Sequence, residues 1–430
     1  MKQRFFRLAA INILSNLMVP LAGAIDTAFL GHLADIRYLA GVALATVLFN
    51  YIYWTFGFLR MGITGMTAQA QGRGDDREVD LTLLRYGMVA LGIGMIILLL
   101  QQPLRELGFW LLQAESDVLQ AGRDYYNSLI WGAPATLLNF SILGWFLGKE
   151  KGQQVLLLSV VDKGANIALD YLFIVRWGWA SSGAGLATAL SQYLNLLVGL
   201  ILVWRSLEYF PTLDEKLLDR SQFVAIFKLN RDITIRTLAL VSTFALFTNF
   251  SAAISTNTLA TNTLLLQVVT FSAYFIDGIA FATESIVGNL QGQQEYAQLR
   301  QIIQLAAVSS ISVGIAIACL FYLAPEALFG ILTSHRSVIT QVTNYVWWLL
   351  PVLATGAIAY MLDGYFLGLT QGKILRDSSL IASGIGFLPL GIMACWVQDN
   401  NLLWLALSSF MAARAITLVL KLDKKEPLKL

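Results

Sequence analysis

A chain of 430 residues with 57% hydrophobic and only 13% charged side chains holds about half the charge of an ordinary soluble protein, which runs near 25%. This excludes a soluble protein and defines an integral membrane protein. The formal net charge of +2 is read as a trace of membrane topology, and no nucleic-acid partner is expected from it.

Apolar runs of spanning length recur about twelve times, from one centred near residue 18 to one near residue 408, each close to the twenty residues that cross a hydrocarbon core. They leave no room for a large soluble domain. Their length also excludes a transmembrane β-barrel, whose strands need only about ten residues of alternating pattern. The first run is full length and lacks a small-residue cleavage site, so it is expected to remain as the first helix.

That first run reads Val19-Pro-Leu-Ala-Gly-Ala-Ile-Asp26-Thr-Ala-Phe-Leu-Gly-His32. A carboxylate at the centre of a spanning helix costs about 3 kcal/mol on insertion scales, so Asp26 is expected to face a bundle interior or a wet cavity, where it binds, pairs or carries protons. The fifth run places Asp162, Asn166 and Asp170 at i, i+4 and i+8, a spacing that predicts one polar helical stripe. Asn139 on the fourth run, and Thr188 and Gln192 on the sixth, can face it. Asp162 and Lys163 are expected nearer the cytoplasmic interface, with Asn166 and Asp170 deeper.

In the second half, Asp277 and Glu284 stand seven apart on the eighth run, hence on one face, and Asp363 lies on the tenth; together they are candidates for a cation site. Arg60 and Arg414 are expected to pair with carboxylates or snorkel. Cys319 and Cys395 fall in apolar segments and imply no disulfide framework. His32 and His335 sit near external helix ends, which leaves no intramembrane histidine for metal or acyl-transfer chemistry. The nearest approach to a phosphate loop, Gly368-Leu-Thr-Gln-Gly372-Lys373-Ile374, has the wrong spacing and no hydroxyl after the lysine. No nucleophile is paired with a base, so an enzyme is not expected, nor any metal or organic cofactor.

An internal duplication is visible. Gly144-Trp-Phe-Leu-Gly148, followed by Gly152, recurs as Gly364-Tyr-Phe-Leu-Gly368, followed by Gly372, and the same offset carries Gln71-Gly72 onto Gln291-Gly292. Agreement at one offset across several runs argues for two homologous halves. Six helices separate equivalent positions, so the halves share one orientation, related by a pseudo-twofold axis along the membrane normal, as in many alternating-access carriers. The expected domains are residues 1–206, helices 1 to 6; a cytoplasmic connection, 207–231; and residues 232–430, helices 7 to 12. Neither acid of the first half is repeated: Asp26 corresponds to Leu246 and Asp170 to Leu390.

Lys2, Arg4, Arg7, Arg73, Arg77, Lys149, Lys151, Arg220, Lys228, Arg231, Lys373, Arg376 and others fall on the side of the N-terminus, roughly twenty basic residues against about five on the other side. The positive-inside rule then predicts that both termini are cytoplasmic. An alkaline phosphatase fused after Leu430 should be inactive; activity there would reverse the topology and the outward placement of Asp26.

Four stretches carry a family resemblance: the Val19–His32 segment above, Phe58-Leu-Arg60-Met-Gly62-Ile-Thr-Gly-Met-Thr-Ala-Gln69, Asn166-Ile-Ala-Leu-Asp170-Tyr-Leu-Phe, and Asn230-Arg-Asp-Ile-Thr-Ile-Arg236-Thr. Together the chain resembles the multidrug and toxic compound extrusion (MATE) family, and more narrowly its DinF-like branch. The resemblance implies two six-helix lobes in a V shape and export of amphipathic, often cationic compounds by antiport against protons or sodium. It places Asp26, Asn166, Asp170 and Thr188 in the family's N-lobe ion and substrate cavity, with Asn139 within about one residue of a neighbouring family Asn, and aligns Asp363 with a C-lobe carboxylate that other branches use for sodium. One departure is Ile11, where the family usually has proline fifteen residues before the first acid; Ile keeps its amide hydrogen bond, so helix 1 is expected to run unbroken through residue 11.

The reading is a proton-driven multidrug exporter of a bacterial inner membrane, monomeric, with small amphipathic cations and lipids as its contacts. A sodium-coupled exporter using Asp277, Glu284 and Asp363 is separated from it by replacing sodium with choline. A lipid flippase of related architecture would move labelled lipid in liposomes, and a non-transporting receptor or scaffold would give no flux under either gradient.

Overall fold

The computed structural model describes residues 1–33, 35–112, 114–207, 217–332 and 336–422. His335, Lys216, Lys424, Lys425 and Lys429 lie outside the described residues. Among the described residues there is no strand. The helices are α1 Lys2–Gly31, α2 Arg37–Thr55, α3 Phe58–Gly72, α4 Asp76–Leu99, α5 Gln101–Leu111, α6 Ser116–Leu129, α7 Ala133–Gly148, α8 Gly152–Asp170 and α9 Ala180–Trp204, then α10 Arg220–Ile254, α11 Thr256–Gly292, α12 Tyr296–Leu323, α13 Pro325–Phe329, α14 Arg336–Tyr345, α15 Leu349–Gly368, α16 Gly372–Ile381, α17 Leu388–Val397 and α18 Asn400–Val419.

Eleven helical stretches among the described residues are long and apolar enough to cross a membrane. The twelfth expected run is α8, which continues into the π-helical turn Tyr171–Arg176; its Asp162, Lys163 and Asp170 keep it out of that apolar set. Large side chains stand open on the outside, Trp396 at 89% and Leu323 at 79% exposure. In water such a surface would drive aggregation, whereas lipid tails solvate it. As Ile11 predicts, α1 is one unbroken helix, with Pro20 inside it.

The chain divides into two compact units, one of Leu14–Ile226 and one of Met1–Ile13 with Phe227–Leu430. Within the second, Ile13 lies so close to Gly278 that a Cβ there would meet the Ile13 backbone nitrogen at 2.6 Å. The core of the first unit is aromatic: Phe49 stacks on Tyr126, and Trp145, fully buried, donates its indole N–H to the Val79 carbonyl at 3.0 Å. The core of the second unit gathers Phe247, Phe387, Trp404 and Phe410. Its polar centre is Asn262, which exchanges amide hydrogen bonds with Asn400, donates to Ser251 and accepts from the Trp404 indole. Every strong group of that network is satisfied, as burial in a low dielectric demands.

The duplication is carried by the packing of each unit. A Cβ at Gly144 would meet the Arg60 carbonyl oxygen at 2.5 Å, and one at Gly364 the Ala280 oxygen at 2.3 Å; Gly148 presses on Thr64 and Gly368 on Glu284 in the same way, at 2.7 and 2.5 Å. Each pair of glycines and each pair of contacted carbonyls is separated by the one sequence offset. Small residues let membrane helices approach backbone to backbone, where dispersion replaces the missing hydrophobic drive. Six of the seven left-handed backbone positions among the described residues follow the same offset, Gly74 and Gln294, Glu150 and Thr370, Gly178 and Gln398, and Ala180 stands without a counterpart. The surrounding fold therefore enforces this turn even where the second half has lost the glycine that takes it without strain.

Candidate functional site

The unit Leu14–Ile226 encloses a cavity of about 580 Å³. One wall is α1, through Val19, Gly23, Asp26 and Thr27; α2 supplies Thr46, Phe49, Asn50 and Tyr53 opposite; α6 and α7 add Tyr125 and Thr136; α8 and α9 complete it with Lys163, Asn166, Asp170, Thr188 and Gln192. The volume suits a drug-sized molecule, and the lining has the usual mixture of apolar surface and few convergent polar groups.

Asp170 is the last α-helical residue before the π-helical turn, a widened turn of the kind that often re-aims side chains at functional sites. It is 1% exposed. Its Oδ2 accepts a hydrogen bond from Asn166 Nδ2 at 2.8 Å, and the same amide lies 3.4 Å from the Thr188 hydroxyl, which donates to the Ala184 carbonyl at 3.0 Å. The carboxyl groups of Asp26 and Asp170 both line this cavity. Oδ1 of each is buried and has no hydrogen-bond partner among the described residues. Four residues expected to share one pocket, Asp26, Asn166, Asp170 and Thr188, are thus brought together.

Asn139 does not line the cavity. Its amide donates to the backbone oxygen of Gln192 at 2.9 Å and to that side chain's Oε1 at 3.0 Å, so it fixes a lining residue from behind. The fifth-run stripe also needs correcting. Asp162 turns toward α9, where its Oδ1 accepts from Gln192 at 2.9 Å, and Lys163 takes its place on the cavity face. The reason is helical pitch: at about 100° per residue, eight residues overshoot two turns by about 80°, while seven fall short by only about 20°. Lys163, Asn166 and Asp170, at i, i+3 and i+7, are the true stripe. Thr46, Asn50 and Tyr53, at i, i+4 and i+7, form a second stripe of the same kind on α2, a signal present in the sequence.

The second-half cation site is not supported. Asp363, buried on α15, accepts hydrogen bonds from Arg236 on α10 and Arg414 on α18. Two guanidinium groups on one carboxylate leave it no capacity to attract a further cation. The Arg414 guanidinium also lies over the rings of Tyr360 and Phe410, 5.2 and 5.7 Å from their centroids. Glu284 is fully buried and Asp277 half-buried on α11, yet no group of three His, Cys, Asp or Glu side chains among the described residues could hold a metal ion. Arg414 thus pairs with a carboxylate, as expected of it. His32 Nδ1 donates to the Ala28 carbonyl 2.7 Å away, within its own helix.

A multi-helix membrane protein built from two related halves, with an acid-bearing cavity inside one of them, has the architecture of a transporter. Residues 12–172 and 233–397 match the MatE family model, and the chain belongs to this family, that of the MATE multidrug transporters. DNA damage-inducible protein F of Escherichia coli (strain K12) is 34% identical over 415 residues, covering 96% of this chain and 90% of that protein. A probable multidrug resistance protein NorM of Synechococcus sp. is 25% identical, covering 94% and 88%. Among solved structures, a MOP superfamily transporter from Pyrococcus furiosus superposes with a TM-score of 0.89, and an outward-facing multidrug resistance MATE family transporter with 0.88, each at 19% identity over 97% of this chain and 94% of the other. At that identity the structures show a shared fold.

Proposed function

We propose that this protein exports amphipathic organic cations across a bacterial inner membrane in exchange for protons, as a monomer with both termini in the cytoplasm. The observation that carries the proposal is the placement of Asp26 and Asp170 together on the lining of one drug-sized cavity. Two carboxylates that share one cavity repel each other when both are ionised, and a single proton held by the pair relieves that repulsion. A cation arriving from the cytoplasm takes over that proton's place against the ionised pair, and protonation from outside discharges the pair and frees the cargo. Asn166 and Thr188 hold one acid in position through both steps, which limits the reorganisation that transfer requires.

The energy is adequate. One charge crossing 100 mV is worth about 2.3 kcal/mol, or roughly a fifty-fold concentration ratio. Vesicles holding the purified protein, with proton and sodium gradients imposed independently, test the proposal. A pH gradient alone should drive tetraphenylphosphonium efflux in choline medium. Efflux that follows only the sodium gradient would overturn proton coupling.

A further inference from the structure

Among the described residues Lys163 is the one basic residue that lines the cavity, alongside the two acids Asp26 and Asp170. Its stem is partly buried, and its Nζ sits 2.9 Å from Asp162 Oδ2. Asp162 does not depend on that contact for its place, because Oδ1 also accepts from Gln192 Nε2 at 2.9 Å and lies 3.4 Å from the Ser191 hydroxyl. Lys163 and Asp170 stand seven residues apart on one helix face, about 10 Å along the axis. A cavity-facing ammonium is an unexpected lining for a site that takes cations.

We propose that Lys163 sets the charge class of the cargo, holding the cavity to monovalent cations and excluding divalent ones. The inference rests on the cavity taking organic cations, as proposed above. With one proton on the pair Asp26 and Asp170, the lining with Lys163 is electrically neutral; without it, the lining carries one net negative charge. One monovalent cation therefore restores the balance that one proton gave. A dication leaves a second positive charge facing an ammonium, and like charges repel more strongly in the effective dielectric of a protein than in water. Removing the Lys163 charge makes the surroundings one unit more negative whatever Asp162 does. At about 10 Å, in the effective dielectric of a protein, one unit of charge changes a binding constant by roughly tenfold for each charge on the ligand.

The test is equilibrium binding of tetraphenylphosphonium, a monocation, and methyl viologen, a dication, to the purified full-length protein and its variants. Lys163→Gln should tighten the dication roughly tenfold more than the monocation, while Lys163→Arg, which keeps the charge, should leave their ratio as in the wild type. Should Lys163→Gln fail to give a monodisperse protein, Lys163→Met keeps the stem and yields the same reading. An unchanged ratio in the neutral variant, or an equal shift in Lys163→Arg, overturns the charge filter while leaving the cation site intact. If the wild type binds neither probe, and Asp26→Asn behaves identically, the cation site itself fails and the filter with it.

Discussion

Replacing Asp26 or Asp170 by Asn is expected to abolish pH-driven efflux, leaving only the leak of protein-free vesicles, while folded protein remains in the membrane. Asn keeps the size and much of the hydrogen bonding of Asp but cannot carry a proton. At residue 170 the Asn166 amide, 2.8 Å away, still finds a carbonyl acceptor, so the local geometry survives. At residue 26 the amide keeps the size of the acid and an oxygen acceptor on the cavity lining, and it binds no proton. Each substitution therefore removes exchange and spares structure. Vesicle efflux measured beside a size-exclusion profile checks both halves of the statement. A variant that is folded and still transports would contradict it.

Asp363→Asn should do the opposite, costing about 3–5 kcal/mol of stability and only weakening transport. Arg236 and Arg414 converge on this one carboxylate, and neutralising it leaves two guanidinium groups buried without their counter-charge, an arrangement whose disruption costs that much in comparable cases. Their Nε atoms already have no hydrogen-bond partner among the described residues, so both guanidinium groups are incompletely satisfied even with the carboxylate in place. Thermal unfolding should show a lowered midpoint, and efflux per folded molecule should stay near the wild-type rate. Combining Asp363→Leu with Arg236→Met and Arg414→Met should recover much of the stability, since apolar groups of similar volume can replace a buried ion cluster. A stable Asp363→Asn protein that has lost transport would show that this carboxylate serves exchange and not architecture.

The sequence carried the architecture because the physical determinants of membrane folds are local and repetitive. Long apolar runs announce spans, and the paired glycines at 144 and 364 announced a repeat that the packing against Arg60 and Ala280 then bears out. Asp26 was legible because a carboxylate in an apolar run is costly wherever it sits. The divergence of the halves was legible too: Leu246 and Leu390, which stand at the positions of Asp26 and Asp170, both pack against the apolar core of their unit. Lys163 is hidden in a stripe drawn at i, i+4 and i+8, because eight residues overshoot two helical turns by most of a quarter turn. The Arg236–Asp363–Arg414 cluster was hidden for a different reason. Its members come from three helices far apart in the chain, and no spacing rule links a carboxylate to a partner 127 residues away.

Proton release on cargo binding tests the central claim most directly. In a weakly buffered solution of purified protein, tetraphenylphosphonium should release about one proton per cation bound to the wild type, none from Asp26→Asn or Asp170→Asn, and a normal amount from folded Asp363→Asn. Normal release from both first-half variants, together with its loss in Asp363→Asn, would place the exchange in the second half and contradict the account.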